Sequence, residues 1–156
     1  AIFLYNVKNA NLISNTITGN VLTGSTKTGA VDNNASIVKV SCNNIISGNS
    51  DNKDANGTFT HKYSIVGSTC YNASGAAATV DPAWNASTML DAFNTDGVCP
   101  LLLPDANPAF TYGMSSTQLQ ALANDYVSAD VLSKDQLGNT RTGNVIGAWV
   151  ANKTNE

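Results

Sequence analysis

Few residues of this chain carry groups that could do chemistry, and their spacing limits what that chemistry is. The single histidine, His61, stands beside Lys62. In a strand, neighbours point to opposite faces, so the two would not share a site, and one histidine alone specifies no acid–base arrangement. The cysteines, Cys42, Cys70 and Cys99, form no close pair. That spacing argues against a zinc site, and an odd count against a disulfide framework. Cys42 and Cys70 are the two that could pair, while Cys42 alone reads as a small apolar filler of an interior slot. The run Asp51-Asn52-Lys53-Asp54-Ala55-Asn56-Gly57 places oxygens at Asn52, Asp54 and Asn56 and then a glycine, as a calcium loop begins. Its twelfth position is Tyr63, where such a loop has a bidentate glutamate, and a solvated turn explains the same residues. Calcium is the one cofactor the residues raise. Arg141, the sole arginine, would need a carboxylate if buried, and Asp135 is the expected structural partner. Trp84 and Trp149, the only tryptophans, could stack on sugar rings but read first as core packing. Sequons at Asn34, Asn56, Asn72, Asn85 and Asn152 are no more than such a composition produces by chance.

The elements that must position these groups show in a recurring phrase. Asn15-Thr16-Ile17-Thr18-Gly19-Asn20 returns as Asn44-Ile45-Ile46-Ser47-Gly48-Asn49, and more faintly as Tyr63-Ser64-Ile65-Val66-Gly67-Ser68. Repeats about 20 to 30 residues apart are the mark of a solenoid. The period-two pattern over Ile13, Asn15 and Ile17 predicts these side chains on one inward face. Shifted copies put Asn44 and Ile46, then Tyr63 and Ile65, in the same slots, with Asn15 stacked on Asn44. Asn20 and Asn49 suit corners with positive φ. Strands are expected at Ile2–Val7, Asn11–Ile17, Ser36–Cys42, Asn44–Ser47, Thr58–Val66 and Ala77–Val80, with a loop over Val21–Asn34.

From residue 81 the character changes, and all four prolines lie beyond that point. Asp81-Pro82 ends a strand and fixes a turn. Val98–Leu103 reads as a buried strand and 87–93 as a short helix. Ser115 and Gln118 form a capping box for a helix over 116–126, with Leu119, Leu122, Ala123 and Tyr126 as its stripe. Asp135 to Val150 reads as a turn into a final strand.

Composition narrows the class. Only 12% of residues are charged, about half the usual fraction, and the net charge is −3. Solubility falls to neutral polar groups: 21 Asn, 16 Thr and 14 Ser. That surface suits a secreted or cell-surface protein and offers no basic patch for nucleic acid. No apolar run is long enough to span a membrane. The 42% hydrophobic content and the ordered alternation argue against disorder.

Four pieces of the chain stand in a telling order: Cys42-Asn43-Asn44-Ile45-Ile46-Ser47-Gly48-Asn49; Asp81-Pro82-Ala83-Trp84; Leu101-Leu102-Leu103-Pro104 running to Asn107-Pro108-Ala109-Phe110 and Gly113; and Asp135-Gln136-Leu137-Gly138-Asn139-Thr140-Arg141 ending at Ile146-Gly147-Ala148-Trp149. They are spread over most of residues 36–150. The set resembles the C-terminal region of bacterial right-handed parallel β-helix surface proteins of the polymorphic outer-membrane protein and choice-of-anchor type. The pieces look like that family's N-x-I-x-x-G-N, D-P-x-F, S-P-A-I-D-x-G, and D-x-x-G-x-x-R followed by D-I-G-A-Y-E. The chain departs from it at Thr111-Tyr112, where an acidic residue precedes the glycine, and at Val145 and Val150, where the family has Asp and Glu.

The combined expectation is an all-β chain: a right-handed parallel β-helix of a few coils over 1–80, and a C-terminal cap with one short α-helix over 81–156 on the same core. The resemblance makes these motifs structural and implies a bacterial protein. Asn15, Ile17, Asn44, Ile46, Ile65, Asp81, Pro82, Trp84, Asp135, Arg141 and Trp149 are the residues expected to hold the fold. Three roles stay open: an adhesive or structural surface part with no chemistry of its own, the non-catalytic end of a polysaccharide lyase or glycoside hydrolase with its active site upstream, and a small carbohydrate-binding module. Polysaccharide or a host or cell-surface glycan is the expected partner class. The opening on Ala1-Ile2-Phe3-Leu4-Tyr5 reads as strand, so upstream coils or a dimer are expected at that edge.

Overall fold

The structure, a computed structural model, describes residues 1–21, 23, 29–95, 100–102 and 107–148, with the backbone alone at 52, 91–95 and 100–102. Most of its elements are strands, with a few short helices. Short strands form where apolar and β-branched residues sit between asparagine- and glycine-rich bends. In chain order they are β1 (Ile2–Tyr5), β2 (Ala10–Ile13), β3 (Thr16–Ile17), β4 (Val31–Asn34), β5 (Val38–Cys42), β6 (Ile45–Ile46), β7 (Ala55–Asn56), β8 (His61–Lys62) and β9 (Ser64–Val66). They divide into three parallel sets: β1-β4-β7, β2-β5-β8 and β3-β6-β9. The chain thus visits three sheets in one order on three successive passes. Ile2 pairs with Val31, Ile13 with Cys42 and Ile17 with Ile46.

The third sheet then closes. After β9 the chain turns at Gly67-Ser68 into β10 (Thr69–Tyr71), antiparallel to β9, and on to β11 (Ala77–Ala78). A second antiparallel pair follows, β12 (Leu90–Thr95) with β13 (Pro100–Leu102). Three short helices belong to this later part: α1 (Ala86–Met89), α2 (Ser116–Gln120) and α3 (Ala129–Leu132).

Burial follows from this layering. Leu12, Val31 and Ile46, one from each sheet, meet in one cluster between the sheets. The opposite face of the third sheet is also covered: Ile45 and Ile65 pack with Trp84, Met89, Leu90, Ala109, Val145 and Ile146. The outer face of the second sheet lies under Met114, Leu119 and Leu132, which gather around Cys42.

One residue joins these layers. Asn43 bends the chain between the second and third sheets with φ 57°, as Ser14 and Tyr63 do on the other passes. Asparagine tolerates this region better than most residues. Its fully buried side chain accepts from the Met114 N–H at 3.0 Å and donates to the Val145 carbonyl at 3.1 Å and the Ser14 hydroxyl at 3.0 Å. Its own carbonyl accepts from the Gly147 N–H at 2.8 Å. The contact is close: a Cβ on Gly147 would lie 2.6 Å from Thr16 Oγ1, and one on Gly113 would lie 2.8 Å from Asn43 Oδ1.

Several expectations need correction. Asn11–Ile17 is two strands, not one, because Ser14 takes φ 55° and turns the chain into the next sheet. Ile65 aligns with Ile45 and Thr16, whereas Ile46 aligns with Ile17 and Val66. The later shift is therefore one residue longer than the repeat suggested, because Gly67 belongs to the hairpin turn. Asn44 matches Ser64 rather than Tyr63. The left-handed corners are Gly19 and Gly48; Asn49 beside them is extended, with φ −88°. Among the described residues the later region holds three short helices rather than one. The capping box of Ser115 and Gln118 is formed, but α2 stops at Gln120. Asn124 accepts from the Tyr126 N–H at 2.9 Å, and this local turn competes with the helix. Tyr126, assigned to the buried stripe, is 90% exposed. Val145–Ala148 is irregular rather than strand. Trp149, Val150, Cys99, Val98 and Leu103 lie outside the described residues.

Asn43→Ala should lower stability by about 3 kcal/mol, because it strands the Met114 N–H and the Val145 carbonyl in a buried site and puts alanine in the left-handed region. Urea unfolding followed by circular dichroism measures this. A loss under about 1 kcal/mol would mean that the tie is not where the layers are held.

Candidate functional site

A broad concavity lies beside the second sheet. It is a cleft of about 970 Å³ between the outer face of β2 and β5 and the chain from Asn124 to Arg141. Asn11, Ile13, Lys39 and Val40 line the sheet side; Tyr126, Val131, Lys134 and Arg141 line the other. Lys39 reaches it through an irregularity of the pairing. Ala10 pairs with Val38 and Asn11 with Val40, so Lys39 is the extra residue of a bulge. Bulges re-aim side chains in this way.

Arg141 is held by its backbone and by one side-chain bond. Its N–H donates to the Ser133 carbonyl at 2.8 Å and its Nε to the Lys134 carbonyl at 2.9 Å. The residue is 5% exposed, and among the described residues its buried Nη1 has no hydrogen-bond partner. The expected partner is otherwise engaged. Asp135 Oδ1 accepts from the N–H groups of Leu137 at 2.9 Å and Asn139 at 2.8 Å, an Asx-type turn that leaves no direct ion pair with Arg141. Burial lowers the Arg141 pKa below its ordinary value, and the nearby Asp135 charge pulls it back up. The ion pair formed here is the exposed Lys134–Asp130, 2.9 Å, one helical turn apart.

The other singled-out residues fall elsewhere. His61 is buried and Lys62 exposed, on opposite faces of β8. His61 Nδ1 lies 2.8 Å from Ser41 Oγ, and its ring stacks on Phe59 with centroids 5.0 Å apart. Burial lowers its pKa to about 4, which leaves a weak base at neutral pH. The Ser41–His61 pairing was not foreseen; the 20-residue register between β5 and β8 is the signal that would have found it. Of the calcium candidates, Asp54 is buried, and its Oδ1 accepts from Asn49 N at 3.1 Å and Asn49 Nδ2 at 2.7 Å. Asn56 donates to Asp32 across the first sheet at 2.9 Å, and the Asn52 side chain is outside the described residues. Asp54 and Asn56 are thus spent on separate neighbours.

Asn15 does stack on Asn44, donating to its Oδ1 at 3.0 Å from the side chain and 2.9 Å from the backbone. Asn20 and Asn49 form a second stack at 2.8 Å, which ends on Asp54. Trp84 is buried and donates to Ser47 Oγ at 2.9 Å, just past the exposed Asp81 and the half-buried Pro82, whose shared peptide bond is cis. Cys42 and Cys70 are free thiols in separate clusters, each raised to about 11 by burial. Cys42 sits on the outer face of the second sheet beneath the helices, not in the slot between the sheets. No family model, curated protein or solved structure matches the chain.

His61 makes stability depend on pH. The unfolded histidine titrates near 6.5 and the folded one near 4, so below 6.5 the unfolded chain takes up the proton first. Its contribution is complete above pH 6.5 and is lost as pH falls towards 4, by about 3 kcal/mol over the whole window. His61→Phe should flatten the decline of the unfolding midpoint between pH 6.5 and 5. An unchanged slope would remove His61 as its cause.

Proposed function

We propose that this chain is a structural and adhesive part of a secreted or cell-surface bacterial protein, built as a right-handed parallel β-helix of a few coils with a C-terminal cap. The observation that carries the reading is the pairing of strands from three successive passes, in parallel and in constant order. In an open stack of this kind each pass rests only on its neighbours, so length and surface can vary while the scaffold persists. The two asparagine stacks support it, because like residues recur at one height on successive passes. So does the surface, where neutral polar side chains stand in for charge. The bacterial and surface part of the reading is supported by the resemblance of the motif order to polymorphic outer-membrane proteins. On this reading the cleft holds a ligand and leaves it intact.

Two experiments test this. Inserting a second copy of residues 14–42 after Cys42 adds one pass. The longer chain should unfold cooperatively, with a denaturant slope about a fifth steeper. A molten or unfolded product would count against stacked coils. For the adhesive role, the chain should be retained on immobilised surface polysaccharide and leave the polymer's length unchanged in size-exclusion chromatography; shortening would show an enzyme instead.

A further inference from the structure

We infer that the cleft beside the second sheet binds an acidic saccharide, with Arg141 and Lys39 receiving its carboxylate groups. A buried cation is expensive unless an anion and hydrogen bonds compensate it. Arg141 is compensated only in part: Nε is bonded, Nη1 is not, and the Asp135 carboxylate is committed to its own turn. The structure therefore keeps a desolvated guanidinium in the wall of an open cleft, lacking one acceptor. A ligand carboxylate supplies that acceptor, and guanidinium–carboxylate bonds are among the strongest available.

Lys39 is the second, independent observation. A bulge in β5 places the exposed Lys39 on the wall of the same cleft, although the pairing on either side would have been regular without it. Among the described residues neither Lys39 nor Arg141 makes a direct ion pair, although Asp125 and Asp135 also line the cleft. The rest of the lining selects among anions. Asn11 and Asn124 offer amides suited to hydroxyl groups, and the exposed Tyr126 ring stands at the rim, where it can stack on a sugar face. An acidic peptide would use the cations and leave these groups idle.

The inference rests on the adhesive reading only in taking the ligand to leave intact. The test uses two oligomers of one linkage: cellohexaose, and the same hexamer oxidised at every C6 to glucuronate. Titration calorimetry on the full chain should show the glucuronate hexamer binding at least tenfold tighter, with affinity falling as salt rises. Lys39→Ala should weaken it about threefold without moving the unfolding midpoint. Arg141→Gln should abolish the preference for the acidic oligomer. If that variant does not fold, the Lys39→Ala result decides. Equal affinity for the two oligomers, binding of neither, or equally tight binding of polyglutamate would overturn the proposal. Binding followed by cleavage of the hexamer would support the site while sinking the non-catalytic reading. A folded chain that ignores both oligomers would sink the site alone.

Discussion

The buried amide of Asn43 meets a demand that every bend in this chain faces. Where short strands change direction, backbone N–H and C=O groups leave the ladder, and in a covered bend they have no water to turn to. Asn43 meets it twice over. It adopts the left-handed conformation that the bend needs, and its side chain bonds Met114 N and the Val145 carbonyl. Those contacts bring the later region down onto the third sheet. The apolar cover of Ile45 and Ile65 by Trp84, Val145 and Ile146 then lies beside them. Without this tie, two large isoleucines on the outer face of that sheet would be open to solvent.

The asparagine stacks answer the same demand elsewhere. Asn44 accepts from the backbone and side chain of Asn15 and donates to the Leu12 carbonyl, so one amide serves both β2 and the bend that follows it. The second stack, Asn20 on Asn49, is completed by the buried carboxylate of Asp54. In each case the extended β-branched segments supply the apolar faces and the amides supply the corners. This division explains how a chain with 12% charged residues holds very short strands in register.

Much of the first half is legible in the sequence, and the limits are physical. The 29-residue spacing from Asn15 to Asn44 shows because both passes end in the same Gly-Asn corner. The third copy misleads because its glycine serves a hairpin, and a one-residue slip in a strand exchanges its faces. Hence the repeat pairs Ile65 with Ile46, whereas its neighbour in the sheet is Ile45. The outer cover was harder to see. Ile45 and Ile46 are both buried, so no alternation betrays which one faces inward. The cleft was least legible of all. Lys39 enters it through a bulge and Arg141 through a turn, neither of which has a periodic signature. The presumed Asp135–Arg141 pair failed because a carboxylate beside two free backbone N–H groups satisfies them first.

The regular pairing also separates the chain's contacts by distance along it. Strands of successive passes meet across 20 to 29 residues, so each closes a loop of modest and nearly constant size. The ties from Asn43 to Met114 and Val145 span 71 and 102 residues. Loop-closure entropy rises only with the logarithm of length, yet the longer closures are repaid only once a partner surface exists. That surface is the outer face of the third sheet, which the local pairings assemble. The physics therefore orders assembly: the passes come first, each templating the next, and the later region settles on a finished sheet.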